Sequence, residues 1–240
     1  MPRRRSPRLT PPQREGKEAT LAAAVVQWLE ASGWDVYQEV LLRLPGMPAD
    51  RVADIIAVKD GQVWGVECKV SLTLPLLFQA AALPTSRASI AIPRNMIRDT
   101  MRAFGIQGAQ LLARAGVLEV SGATGMVREA AAPPPRPEAQ DAAVLALLRP
   151  EHKTHAAAGT SGGGFWTPYK ETMDRVRALL AARGPLTVPE IVAVLGKGHY
   201  KTEASARGSL GRAFARWESG SISPAGAGRW ALVPVLTPRR

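Results

Sequence analysis

The stretch Gly65-Val66-Glu67-Cys68-Lys69-Val70-Ser71 (GVECKVS) sets a carboxylate and an ammonium two residues apart in a run otherwise apolar enough to be a buried strand. Side chains on a strand alternate between faces, so Gly65, Glu67 and Lys69 point one way while Trp64, Val66, Cys68 and Val70 point the other. On that reading Cys68 is a small core hydrophobe, not a nucleophile. The preceding run, RVADIIAV (51–58), carries Asp54 among apolar neighbours, and Asp60-Gly61 between the two runs supplies a hairpin turn. Antiparallel pairing through that turn brings Asp54 near Glu67 on the same face. Two carboxylates held close repel one another unless a cation compensates. A divalent metal with oxygen ligands is the natural compensation, and Mg²⁺ is typically held by one or two carboxylates plus substrate phosphates. Lys69 stands beside such an ion, placed to orient a water or to stabilise charge developing on a phosphate.

Outward from this hairpin, the periodicity predicts a helix over Lys17 to Ala31, with Leu21, Val25, Trp28 and Leu29 at helical spacing and Gly33 as its stop. VYQEVLL (36–42) reads as a strand before RVADIIAV. After GVECKVS a helix starts near Pro75, SIAIP (89–93) is another buried strand, and NMIRDTMRAF (95–104) is a helix capped by Asn95. AQLLARAGVLEVS (109–121) reads as two strands around Ala115-Gly116. The order is helix, three strands, helix, strand, helix, strands.

Asp54, twelve residues, then Glu67-Cys68-Lys69 resembles the PD-(D/E)xK nuclease signature, set in the element order of the restriction-endonuclease-like fold. The spacing is similar to that of archaeal Holliday-junction resolvases and bacterial repair nucleases of the same superfamily, over residues 17 to 121. The resemblance implies an α/β fold, a mixed sheet flanked by helices. It implies Asp54 and Glu67 as metal ligands, the backbone carbonyl of Cys68 completing the set, Lys69 as catalytic lysine, and Mg²⁺ as cofactor with Mn²⁺ able to substitute. Ala53 stands where the motif's name calls for proline. Glu18, on the first helix, lies near where resolvase-like members place another acid, about one turn early; it reads equally as an acid favoured by the helix dipole. Glu39 has two readings, a cleft acid or a solvated edge residue, of which the second is preferred. Gln79 resembles a glutamine that some members direct toward the site. Such folds often work as dimers, so a homodimer is compatible with this reading.

Residues 123–164 include APPPRPEAQ and HAAAGTSGGG, compositions of an extended, flexible linker, with DAAVLALL as a short helix within it. From residue 165 to 240 three helices and a hairpin follow, the layout of a small winged helix-turn-helix domain. LTVPEIVAVLG opens with a capping box from Thr187 to Glu190, and KTEASARGSLGRAFARW has Thr202 as N-cap. On this last helix Ala206, Leu210, Ala213, Phe214 and Trp217 form the core stripe. Ser205, Ser209, Arg212 and Arg216 share the opposite face, suited to a major groove, with Lys201 before the helix and Arg229 in the wing as phosphate contacts.

The formal net charge of +11 on 240 residues favours a polyanionic partner, DNA first. No apolar run approaches a membrane span, and the Arg- and Pro-rich residues 1–16 read as a disordered basic tail, not a secretory signal. The expected location is cytoplasmic. A single cysteine makes no internal disulfide or zinc cage, and His152, His155 and His199 are too few and scattered for imidazole metal binding. Three functions remain: a metal-dependent DNA nuclease in repair, recombination or phage or defence DNA processing; a non-catalytic DNA-binding protein or regulator that uses the nuclease fold as scaffold; or an interaction adaptor whose winged helix binds a protein partner.

Overall fold

In this computed structural model residues 11–94, 99–160 and 164–233 are described, with backbone alone for 11–16 and 99–104. The chain divides into two units, one up to Trp166 and one from Thr167.

The first unit holds α1 (Pro11–Ala31), β1 (Asp35–Leu42), β2 (Arg51–Lys59), β3 (Gln62–Cys68), α2 (Leu74–Ala81), β4 (Arg87–Pro93), α3 (Asp99–Ala113), β5 (Gly116–Val120), β6 (Val127–Ala131) and α4 (Asp141–Leu147). The six strands form one mixed sheet in sequential order. β1, β2 and β3 are antiparallel neighbours, β3, β4 and β5 run parallel, and β6 returns antiparallel to β5. The β2–β3 turn is the expected one: Asp60 and Gly61 both take positive φ, 50° and 79°, as a two-residue hairpin of primed type requires.

Both sheet faces are covered. On one, α1 buries Leu21, Val25 and Leu29 against Val36, Ile55, Trp64, Cys68 and Leu118. On the other, Leu76 and Ala80 of α2, Ala109 of α3 and Val144 of α4 pack on Val40, Ile56, Ile90 and Val117. Each of the larger aliphatic side chains so buried contributes about 1.5–3 kcal/mol relative to exposure. Thr73 caps α2, its hydroxyl accepting from the Leu76 N–H, with Pro75 in the first turn.

Three sequence expectations for the first unit need correction. α1 begins at Pro11, so the segment read as a tail to residue 16 is helical from 11 onward; residues 1–10 and the Asn95 cap lie outside the described residues. AQLL is not a strand but the last turns of α3, because Ala109 and Ala113 continue a helical buried stripe toward the sheet. In the segment read as a linker, 123–164, the described residues 123–160 are not a linker. β6 extends the sheet, α4 buries Val144, and the Asp141 carboxylate accepts from the N–H groups of Ser86 (2.8 Å) and Val63 (3.2 Å). Proline-rich composition predicted an extended backbone but could not report that Val127–Ala131, just before the prolines, pairs with the open edge of the sheet.

The second unit contains α5 (Pro168–Arg183), β7 (Leu186–Thr187), α6 (Val188–Leu195), α7 (Glu203–Trp217), β8 (Ile222–Pro224) and β9 (Arg229–Leu232). Its three strands form a small sheet in the order β7-β9-β8 beside the three helices. Thr167, Thr187 and Thr202 cap the helices, the last two in reciprocal capping boxes. The core joins Met173, Val176 and Leu180 to Ile191, Leu210, Phe214 and Ile222. Trp217 departs from the expected stripe and is 66% exposed. Among the described residues no helix is long and apolar enough to cross a membrane.

Candidate functional site

The β2–β3 ladder runs from Lys59↔Gln62 to Ile55↔Val66 and stops. One step further in the same register stand Asp54 and Glu67. Here the Cys68 N–H donates to Asp54 Oδ2 at 2.7 Å, and the Lys69 N–H donates to the Ala91 carbonyl at 3.0 Å. β3 therefore stays with β4 while it leaves β2, and the sheet forks where the two acids lie. A strand residue sends its N–H and C=O toward the same neighbour, so the Cys68 carbonyl faces the Asp54 side of the fork.

Glu39 belongs to this fork, and the preferred reading of it as a solvated edge residue is corrected. It is 6% exposed, and its Oε1 accepts from the Gly159 N–H at 2.8 Å. Its φ of +50° breaks the alternation of β1: Tyr37, Val40 and Leu42 all pack on the same core cluster. A left-handed non-glycine residue costs on the order of 1–3 kcal/mol and persists where its surroundings over-determine it. Gly159 is one such surrounding. Its own φ is +75°, and a Cβ there would lie 2.9 Å from the backbone of Glu18. Only glycine lets this segment pass between α1 and β1.

Glu18 is the fourth acid. Its Oε2 pairs with Lys69 Nζ at 3.2 Å, the two side chains being 17% and 33% exposed. The pair is part-buried, and a third of the Lys69 side chain stays exposed, so its ammonium is open to a competing anionic group. Asp54 and Glu67 are more deeply held, 9% and 2% exposed. Desolvation, and then the Asp54 charge, push Glu67 up to about 8 and Glu39 up to about 7. Burial likewise raises Asp54, against the opposing Cys68 N–H and Lys69. Burial disfavours the Lys69 charge, but Asp54, Glu18 and Glu67 outweigh it and hold the ammonium above its usual pKa. Arg51, at the start of β2, acts on both Asp54 and Glu67, and its Nε is buried without a hydrogen-bond partner. Four carboxylates against two cations leave a formal excess of two negative charges.

The residues fit a hard divalent cation on one direct observation: Glu67 Oε1 is buried and has no hydrogen-bond partner. A buried polar atom without a partner costs about 1–3 kcal/mol, and an oxygen-seeking ion meets that need. Among the described residues no group of three or more His, Cys, Asp or Glu is arranged to hold a metal. Two carboxylates and a carbonyl are nonetheless within what Mg²⁺ takes from protein when phosphate completes its shell. Cys68 is fully buried and its thiol is pushed well up by that burial, which leaves it inert.

Asp54, Glu67, Lys69 and Glu18 thus converge, and Glu39 joins them. Gln79 does not: it is half-buried on α2, and no described contact links it to the fork. Arg51 and Gly159 were missed. Arg51, three residues before Asp54, falls on the opposite face by strand alternation, and Gly159 lies in a low-complexity run, so neither offered a signal.

In the second unit Lys201, Arg212 and Arg216 are exposed and Ser209 is half-buried. Two expected contacts are committed elsewhere. The Ser205 hydroxyl accepts from the Thr202 N–H at 3.1 Å and donates to its carbonyl at 2.8 Å, closing the capping box. Arg229 donates to the Pro185 carbonyl at 2.9 Å and pairs with Glu190 at 3.6 Å, tying β9 to the start of α6.

No family model matches the chain, and no curated protein matches it. A similar solved structure is the crystal structure of a protein of unknown function, 15% identical over 81% of this chain and 95% of that chain, with a TM-score of 0.31. A likeness that weak carries no inference about fold or function.

Proposed function

We propose that the chain is a divalent-metal-dependent deoxyribonuclease of the PD-(D/E)xK type, with a restriction-endonuclease-like first unit and a winged-helix second unit that holds DNA. The observation that carries this reading is the fork between β2 and β3, which buries Asp54 and Glu67 together and leaves Glu67 Oε1 without a partner.

Asp54, Glu67 and the Cys68 carbonyl would hold Mg²⁺, or Mn²⁺ in its place. Bound there, the ion supplies charge neutralisation and Lewis-acid polarisation of a phosphoryl oxygen. The chain's own groups do the rest. Lys69, more exposed than the acids, presents its ammonium to the phosphate and stabilises the charge that develops as water oxygen bonds to phosphorus and the ester P–O bond breaks. Glu18, paired with Lys69, holds that ammonium in place and gives it up when phosphate arrives. Glu39 and Gly159 brace the fork so that Asp54 keeps its geometry. The exposed arginines of α7 and the net charge of +11 raise the local concentration of DNA.

The test is incubation of supercoiled, linear and branched DNA with Mg²⁺ or Mn²⁺. EDTA-sensitive cleavage that disappears in Glu67→Ala, with DNA binding retained, supports the reading. Cleavage by Glu67→Ala at the wild-type rate overturns it. The burial of Glu67 favours a second reading, a DNA-binding protein that keeps this fold as scaffold; binding without cleavage under every metal would establish that one.

A further inference from the structure

The exposed Trp217 lines a concavity of about 600 Å³ in the second unit, together with Tyr169, His199, Tyr200, Arg212 and Arg216. Tyr169 stands between two aromatic neighbours, 5.2 Å from the His199 ring and 6.1 Å from Trp217, and Tyr200 lies 3.9 Å from His199. The Arg216 guanidinium sits 5.7 Å from the Trp217 ring. Burial lowers the His199 pKa. Trp217 leaves the core stripe of α7 while Ala206, Leu210, Ala213 and Phe214 keep it. A large aromatic face is thus held open to solvent beside two arginines.

This chemistry selects its ligand. The mostly apolar, aromatic lining gives little to a bare inorganic anion. Arg212 and Arg216 repel a cationic ligand such as an alkylated ammonium. A volume near 600 Å³ is within the range of small-molecule sites, about 300–1,000 Å³. What fits is a flat uncharged ring joined to an anionic group. Aromatic side chains bind bases through their π-faces, and arginine beside them tracks phosphate.

We infer that this concavity receives the base of an unpaired nucleotide, stacked against Trp217 and the Tyr169–His199–Tyr200 wall, with its phosphates at Arg212 and Arg216. The inference rests on the reading of the protein as DNA-binding and refines it: the second unit recognises single-stranded or frayed DNA, such as a flap, gap or branch point, through an extruded base.

The experiment is fluorescence anisotropy of the full chain, in EDTA, with a labelled single strand of mixed sequence and the same strand with abasic sites, across a salt series. Wild type should prefer the base-containing strand. Trp217→Ala, with an unchanged melting temperature, should lose about tenfold on that strand and erase the preference, and Trp217→Phe should restore most of it. Equal, salt-dependent binding of both strands by wild type overturns the base pocket while leaving the DNA-binding reading intact. Binding of neither strand overturns both, and a preference that survives in Trp217→Ala removes the pocket as its source.

Discussion

Replacing Glu67 by glutamine should make the metal-free protein more stable, an unusual outcome for a core substitution. Glu67 is 2% exposed, and its pKa is pushed to about 8 from a reference of 4.5, first by desolvation and then by Asp54. A folded pKa above the unfolded one means that stability is intact below the unfolded value and declines as pH rises toward the folded value. At pH 7 the folded chain must hold a proton that the unfolded chain releases. With about 1.36 kcal/mol per unit, that costs roughly 3 kcal/mol. Glutamine never ionises and avoids the cost. For a chain of this size roughly 3 kcal/mol corresponds to about 6–12 °C. Differential scanning calorimetry in EDTA at pH 5, 7 and 8.5 should show the Glu67→Gln melting point rising above wild type as pH increases, with near coincidence at pH 5. With Mg²⁺ added, wild type should gain stability and the variant should not. A variant that melts at or below wild type at pH 7, or with a pH-independent offset, refutes the claim that a buried, repelled carboxylate occupies the fork.

Lys69→Gln should lose at least about a hundredfold in cleavage rate while DNA affinity changes little, because the ammonium acts on charge that exists only in the transition state; single-turnover kinetics reads both, and a rate within tenfold of wild type removes the role. Gly159→Ala should destabilise the first unit by about 1–3 kcal/mol, since it forces a left-handed φ on alanine and drives a Cβ into the Glu18 backbone; urea denaturation checks it, and an unchanged midpoint contradicts the close passage. Asp141→Ala takes the acceptor from the Ser86 N–H and leaves the Val63 N–H only its 3.4 Å bond to Ser86 Oγ, and should cost about 1–3 kcal/mol by the same assay; no change would restore residues 123–160 to the status of a spacer.

What the sequence alone determined is local. Alternation on β3 put Cys68 in the core and Glu67 on the other face, Asp60-Gly61 made the hairpin, and the hairpin register set Asp54 opposite Glu67. Capping residues marked the starts of α6 and α7, and the helical period found four of the five α7 core residues. These features depend on residues within one turn or one hairpin of each other, where side-chain period and backbone preference act directly. The tertiary structure alone decided how the fork is closed. Glu39 is buried because Gly159, 120 residues away, offers it an N–H, and composition in that glycine-rich run says nothing of where the chain returns. The same holds for β6, which looks like spacer but covers an open sheet edge, and for the packing of α4, whose helix was legible but not the bare apolar face it covers. Trp217, placed in the core by period, is exposed because the start of α5 and the His199–Tyr200 loop leave a hollow beside it. Long-range contacts of this kind are won by whichever segment best satisfies a buried donor or covers an apolar surface, and that competition is settled only when the whole chain is folded.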